Sequence, residues 1–223
     1  MKGLNMKKIL LKYYYIILDG IGYIKYLYSK IYFNKNYKNI NKEIDINKIK
    51  KVLFVTHPDD EIIFFYRELI KSDDWLVVCL TNGGNKIRQK EFEQAMNALN
   101  LQYIMFNFID GNINWNQNKV RKNIKNILKM KDEWEIVATH NFEGEYGHKQ
   151  HIKLHHLVKD MYNGKNLYIS TPSHLLENKV NILSNVEKNK KIEFMNTYYK
   201  SQDNLAKYIV KYYNYEGITK LRD

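Results

Sequence analysis

An α/β fold, with a mostly parallel sheet and helices on both of its faces, is what this chain predicts. Three observations carry the expectation. Short runs rich in β-branched residues alternate with longer stretches at helical spacing. The short runs are continuously apolar, as strands buried on both faces are. The residues able to do chemistry fall directly after those runs, where open parallel sheets bind their ligands.

Each element can be read from local sequence. Lys51–Thr56 (KVLFVT) reads as a buried strand, with charge before it and His57-Pro58 after it. Asp60–Lys71 reads as a helix with acidic residues at its start. Trp75–Thr81 (WLVVCLT) is a second strand and Asn82-Gly83-Gly84-Asn85 a loop. Ile87–Leu99 places Phe92, Ala95, Met96 and Leu99 at helical spacing. Gln102–Phe108 is a third strand ending at Asp110-Gly111, followed by a helix over Val120–Lys129. Glu135–Thr139 is a fourth strand, Gln150–Asp160 a helix and Asn166–Ser170 a further strand. Glu193–Lys200 and Asp203–Tyr213 read as C-terminal helices. Right-handed crossovers bring the strand ends to one edge. His57–Asp60, Asn82–Asn85, Asp110 and His140–His151 should therefore open together at the C-terminal edge of the strands.

Composition narrows the class. With 223 residues and 44% apolar content, the chain suits a globular domain with a sizeable core. The formal net charge of +12 suggests an anionic partner if taken alone. Lys is scattered along the whole chain among Asp and Glu, however, and a solvated surface with a coding bias explains it better. No RNA-binding signature, zinc-finger spacing or recognition helix is evident, so no nucleic-acid partner is expected. The single cysteine, Cys79, lies in an apolar run, cannot form an internal disulfide and reads as a core residue. A reduced, cytoplasmic location is favoured. No segment reaches the ~20 uninterrupted apolar residues of a membrane span.

Residues 1–45 differ from the rest and are rich in Tyr, Ile, Leu and Lys. They read as a basic aromatic extension, with a helix through Ile9–Tyr32, ahead of one domain over 46–223. Such a helix suits peripheral contact with a membrane interface, or packing on the main domain or a partner subunit. Packing has the edge, because the periodicity is not clean. The oligomeric state stays open, a homo-oligomer included.

Two clusters carry the chemistry. His57-Pro58-Asp59-Asp60-Glu61 puts an imidazole and three carboxylates directly after a buried strand. An acidic helix start would account for one Asp, but not for the whole block. The second cluster runs from His140 to His151, and His148 and His151 lie on one face if they open a helix. A catalytic zinc takes three protein ligands from His, Asp and Glu and leaves one position for water. The two clusters supply such a set without any cysteine.

The first block, together with Gly144-Glu145-Tyr146-Gly147-His148-Lys149-Gln150-His151, resembles the signature of the LmbE-like, or PIG-L, family of de-N-acetylases. Thr81-Asn82-Gly83-Gly84, Arg88-x-x-Glu91, Asp110-Gly111 and Tyr199-Lys200-Ser201-Gln202 agree with it, so the resemblance spans roughly residues 50–205. It implies a Rossmann-like domain that hydrolyses an N-acetyl group, usually on a glucosamine derivative or glycoconjugate. His57, Asp60 and His151 match the zinc ligands, and Asp59 the general base. His148 matches the imidazole that assists the tetrahedral intermediate. Arg88 falls at a substrate-contacting position. The chain departs from the commoner pattern at Thr56 and at Lys149-Gln150, where substrate contacts rather than ligands are affected.

The residue types suit that chemistry. Zinc activates water and polarises a carbonyl, Asp59 takes the proton, and His148, if protonated, stabilises the oxyanion or protonates the leaving amine. Glu61 is placed to support the ligands by hydrogen bonding. Asn82, Arg88 and Asp110 sit where sugar hydroxyls or a phosphate would be held. Other divalent metals suit the same donors. Two readings compete with a sugar deacetylase: a hydrolase of another acylated amino sugar, and a non-catalytic, membrane-peripheral protein that keeps the fold.

Overall fold

The apolar runs pair side by side. The computed structural model describes residues 40–41, 44–111, 115–172, 182–202 and 214–221. Among these, one sheet has the spatial order β1 (Ile40–Asn41), β4 (Gln102–Phe108), β3 (Trp75–Thr81), β2 (Lys51–Val55), β5 (Ile136–Thr139), β6 (Leu167–Ser170) and β7 (Ile218–Lys220). The inner strands β4, β3, β2, β5 and β6 are parallel. β1 and β7 close the two edges antiparallel. The expected α/β class is therefore observed, and five strands match the expected runs to within a residue. The edge strands are too short to show a period and were not expected.

Helices α1 (Asp60–Leu69), α2 (Lys86–Ala98), α3 (Gln117–Leu128) and α4 (Lys149–Met161) lie where helical spacing places them. α5 (Asn185–Tyr198) begins eight residues before the expected Glu193. Its true start is a capping box: Ser184 Oγ accepts from Glu187 N, and Glu187 in turn accepts from Ser184 N. The helices expected over Ile9–Tyr32 and Asp203–Tyr213 lie outside the described residues. No helix among the described residues is long and apolar enough to cross a membrane.

Strand side chains alternate between two cores. Leu53, Val55, Val77, Cys79 and Met105 face α1, α2 and α5, where Phe65, Phe92 and Met195 pack. Val52, Phe54, Leu76, Val78 and Ile104 face α3 and α4, where Ile124, Leu154 and Trp134 pack. Cys79 is fully buried, as expected. This two-sided burial is why the strands read as unbroken apolar runs.

The topology also positions a crevice. From β2 the chain passes through α1 to β3 and on to β4 at one side. It then returns through α3 to β5 on the other side of β2. The strand order reverses between β2 and β5, and at such a switch point the loops leaving the two strands diverge and open a pocket. His57–Asp60 come directly after β2, and His140–His151 directly after β5.

Candidate metal centre

The loop after β2 turns abruptly into α1. Asp59 occupies the N-cap with φ 127°, a conformation that non-glycine residues rarely adopt. The strain is offset locally. Asp60 Oδ2 accepts from His57 N at 2.7 Å, and Glu61 Oε2 accepts from Asp59 N at 3.1 Å. Asn82 (φ 64°) and Glu145 (φ 60°) are also strained, and they lie in the loops after β3 and β5. Three of the four non-glycine residues with positive φ among the described residues thus lie around the crevice, where strain often serves function; the fourth, Asn100, precedes β4 at the other edge.

The loop after β5 is a single turn over Gly144–Gly147 that leads into α4. Gly144 (φ 64°) lets the turn sit on α4, since a Cβ there would meet Ile152 Cγ1 at 2.8 Å. His151, in the first turn of α4, then reaches back across the crevice to the β2 loop.

Three donor atoms converge there. His57 Nδ1 and His151 Nε2 are 3.1 Å apart. Asp60 Oδ2 is 3.2 Å from each of them. A tetrahedral ion with bonds of ~2.0–2.1 Å would hold its ligands ~3.3–3.4 Å apart, close to this spacing. The ring tautomers fit as well. His57 Nε2 faces two acceptors, Gln150 Oε1 at 2.9 Å and Asp110 Oδ1 at 3.2 Å, so it carries the proton. His151 Nδ1 faces Glu145 Oε2 at 2.7 Å and carries the proton there. The other nitrogen of each ring faces the Asp60 carboxylate. Burial opposes charge on His57, but Asp60 and Asp110 beside it hold its pKa well above the usual imidazole range, so this place takes a positive charge, and two imidazoles and a carboxylate at this spacing fit a metal ion.

Two other groupings share His151. Asp60, His140 and His151 lie close together, as do His57, His148 and His151. His140 is a poor donor, because its Nε2 already accepts from Thr56 N at 3.1 Å and its Nδ1 meets Glu145 Oε2 at 3.1 Å. His148 is different. Its Nδ1 is buried with no hydrogen-bond partner, and its ring centroid lies 4.7 Å from that of His57 and 4.4 Å from that of His151. Burial and the neighbouring His151 and His57 push its pKa down to about 4, so the ring is neutral at pH 7.

The other expected residues take definite places. Asp59 is 1% exposed and ion-paired with Arg88 Nη2 at 3.1 Å. Burial raises its pKa against the pull of Arg88, and with Asp60 beside it the value reaches about 7. Arg88 is buried and also donates to Pro58 O and to Glu91 Oε2. Its guanidinium is thus built into the wall behind Asp59. Glu61 stands outside the donor triad and accepts from Tyr199 Oη. Burial pushes its pKa up to about 8. Asp110 joins Asn82 Nδ2, at 3.0 Å, to His57. Burial opposes its ionisation, but the hydrogen bond and charge of His57 bring its pKa down to about 2.

Sequence reasoning assigned no role to Glu145, His140, Gln150, Tyr199 or Ser170. The first three lie within or beside the motif, yet only the folded loop shows which acceptor meets which ring. Tyr199, at the C-cap of α5, and Ser170, at the end of β6, are brought in by tertiary contact alone.

Fold and site together define an α/β protein with a candidate metal centre at the sheet's switch point. Residues 52–162 match the model of the PIG-L family, described as GlcNAc-PI de-N-acetylase, and the chain belongs to that family. A protein of Acanthamoeba polyphaga mimivirus, "Uncharacterized protein L374", is 34% identical over 76% of this chain and 79% of its own length. The Dictyostelium discoideum protein named "Probable N-acetylglucosaminyl-phosphatidylinositol de-N-acetylase" is 34% identical over 59% of this chain. That match spans only 57% of the Dictyostelium protein. Among solved structures, N,N'-diacetylchitobiose deacetylase from Pyrococcus horikoshii shares the fold, with a TM-score of 0.54 and 18% identity. The match covers 75% of this chain and 77% of that one.

Proposed function

We propose that this protein is a zinc-dependent hydrolase that removes the acetyl group from an N-acetylated amino sugar of the N-acetylglucosamine type. Residues 46–223 form its catalytic unit in this reading. One observation carries the proposal: His57 Nδ1 and His151 Nε2 each lie 3.2 Å from Asp60 Oδ2 and 3.1 Å from one another, with acceptors behind both rings. Family membership supplies the reaction class.

His57, Asp60 and His151 are the proposed zinc ligands. Zinc held there supplies Lewis acidity, lowering the pKa of water from ~15.7 toward about 7 and polarising the acyl carbonyl. Asp59 takes the water proton, and a carboxylate poised near neutrality suits that task. Arg88 fixes the Asp59 carboxylate through the ion pair to its Oδ2. His148, neutral and with a free buried nitrogen, offers a hydrogen bond where charge develops on the acyl oxygen. Asp110 and Asn82 hold the His57 ring and line the open side, where sugar hydroxyls would lie.

Purified protein should bind about one zinc per chain and release acetate from N-acetylglucosamine derivatives. Asp59→Asn should keep the zinc and lose turnover. Undiminished acetate release by that variant would overturn the assigned mechanism.

A further inference from the structure

We infer that Glu145 is the positioning residue of this centre: its carboxylate takes the Nδ1–H of both His151 and His140, and so aims the Nε2 lone pair of His151 at Asp60 and His57. The inference deepens the proposed function and, for its metal readout, rests on it.

Glu145 is 7% exposed, and both of its oxygens are engaged. Oε2 lies 2.7 Å from His151 Nδ1 and 3.1 Å from His140 Nδ1. Oε1 accepts from Asn141 N at 3.2 Å and from Ser170 Oγ. The carboxylate therefore bridges the ends of β5 and β6 to α4, and each oxygen meets protein donors.

The backbone of Glu145 points to the same role. Its φ of 60° and ψ of −62° lie where a non-glycine residue costs ~1–3 kcal/mol. The turn is held in that shape by Asn141 Oδ1, which accepts from Glu143 N at 2.9 Å and Glu145 N at 3.1 Å. Glycine lies on one side of the residue at 144, yet position 145 carries a long acid. Strain kept for a side chain marks a side chain whose aim matters.

His140 completes the device. It stacks on His151 with ring centroids 3.8 Å apart and planes 13° apart. Its Nε2 accepts from Thr56 N, which ties the end of β5 to the end of β2. The two rings are thus clamped face to face, with both Nδ1–H groups on one carboxylate oxygen. His140 acts as a spacer that fixes the plane of His151. Partners of this outer kind set ring orientation and tautomer, and their loss costs ~10–100-fold in metal affinity.

Two variants separate positioning from simple charge balance. Glu145→Met keeps the volume and removes every acceptor. Glu145→Gln keeps one acceptor and removes the charge. Nitrogen-15 NMR of the metal-free protein should find His151 protonated at Nδ1 in the wild type and in Glu145→Gln. In Glu145→Met a substantial share should move to Nε2. By chelator competition, Glu145→Met should bind zinc ~10–100-fold more weakly, with Glu145→Gln between it and the wild type.

An Nε2–H on His151 in the wild type overturns the inference, even if neither variant folds. So does a Glu145→Met protein with unchanged tautomer and zinc affinity. If the wild type binds no zinc but the tautomer moves as described, the metal reading fails and the positioning role stands.

Discussion

Two buried ionic networks flank helix α1, and they differ in whether their hydrogen bonds close. Behind its middle, Lys191 Nζ donates to Glu216 Oε2 at 2.5 Å and to Ile63 O at 2.6 Å, with both charged side chains fully buried. Glu216 also accepts from Arg67 N, and Arg67 Nη2 reaches Ile182 O. Donors meet acceptors throughout. At the N-terminal end of α1, by contrast, Asp60 Oδ2, His57 Nδ1 and His151 Nε2 crowd within 3.2 Å of one another, and the outer nitrogen of each ring faces an acceptor. Burial is similar in the two networks, so burial by itself says little about function. A closed network joins α5 and the segment before β7 to α1, whereas an open one leaves a place for a cation.

The largest effect should come from removing a converging donor. His151→Ala should abolish stoichiometric zinc binding and drive acetate release to the detection floor, while circular dichroism stays native. A variant that still binds zinc as the wild type does would mean that the open network is not a metal seat.

Asp59→Asn ranks next. Loss of a general base typically costs ~10²–10⁴-fold in turnover. Metal content, measured by elemental analysis, should be unchanged, since Asp59 stands outside the donor triad.

The closed network should answer in stability alone. Lys191→Met leaves Glu216 buried without its partner, a change that typically costs ~3–5 kcal/mol. Adding Glu216→Leu should recover much of that loss in urea denaturation. Zinc affinity of whatever remains folded should match the wild type. A selective loss of metal binding in Lys191→Met would erase the contrast between the networks.

Smallest is the exposed end of the closed network. Ser184→Ala should cost ~1 kcal/mol through the lost cap of α5. The Glu187 part of that cap is pH-dependent. Hydrogen bonds from Ser184, helped by Arg67, bring the Glu187 pKa down from 4.5 to about 2. A depressed carboxylate stabilises the fold above its unfolded pKa, so this share is complete at about pH 6 and fades between about 4.5 and about 2. The melting-temperature gap between wild type and Glu187→Gln should close over that range.

Legibility tracked the range of the interactions. β3 and β4 could be bounded to the residue, because a strand buried on both faces is a continuous apolar run. His57–Glu61 and His148–His151 stood out because chemistry-bearing residues crowd directly after strands. α5 was placed late, since its first turns, NVEKNKKI, are polar and its one deep anchor there is a lysine, Lys191. A buried lysine reads as a surface residue until its partner, Glu216, is known. Arg88 was expected to face the substrate, and the structure turns it onto Asp59 and Glu91. The spacing Arg88-x-x-Glu91 allows that ion pair, but spacing cannot show that Asp59 packs beside it.

By itself, then, the sequence determined the α/β class, the edge at which chemistry gathers and the two blocks that supply donors. Those are properties of short windows: periodicity, charge and the residue types at strand ends. Only the tertiary structure decided which nitrogen of each imidazole faces an acceptor behind the ring. Gln150 and Asp110 settle this for His57 and Glu145 settles it for His151, across loops that meet only once the sheet reverses its order between β2 and β5. The physical reason is directional. A hydrogen bond depends on the position of one acceptor atom to within a few tenths of an ångström, and no local pattern encodes that position.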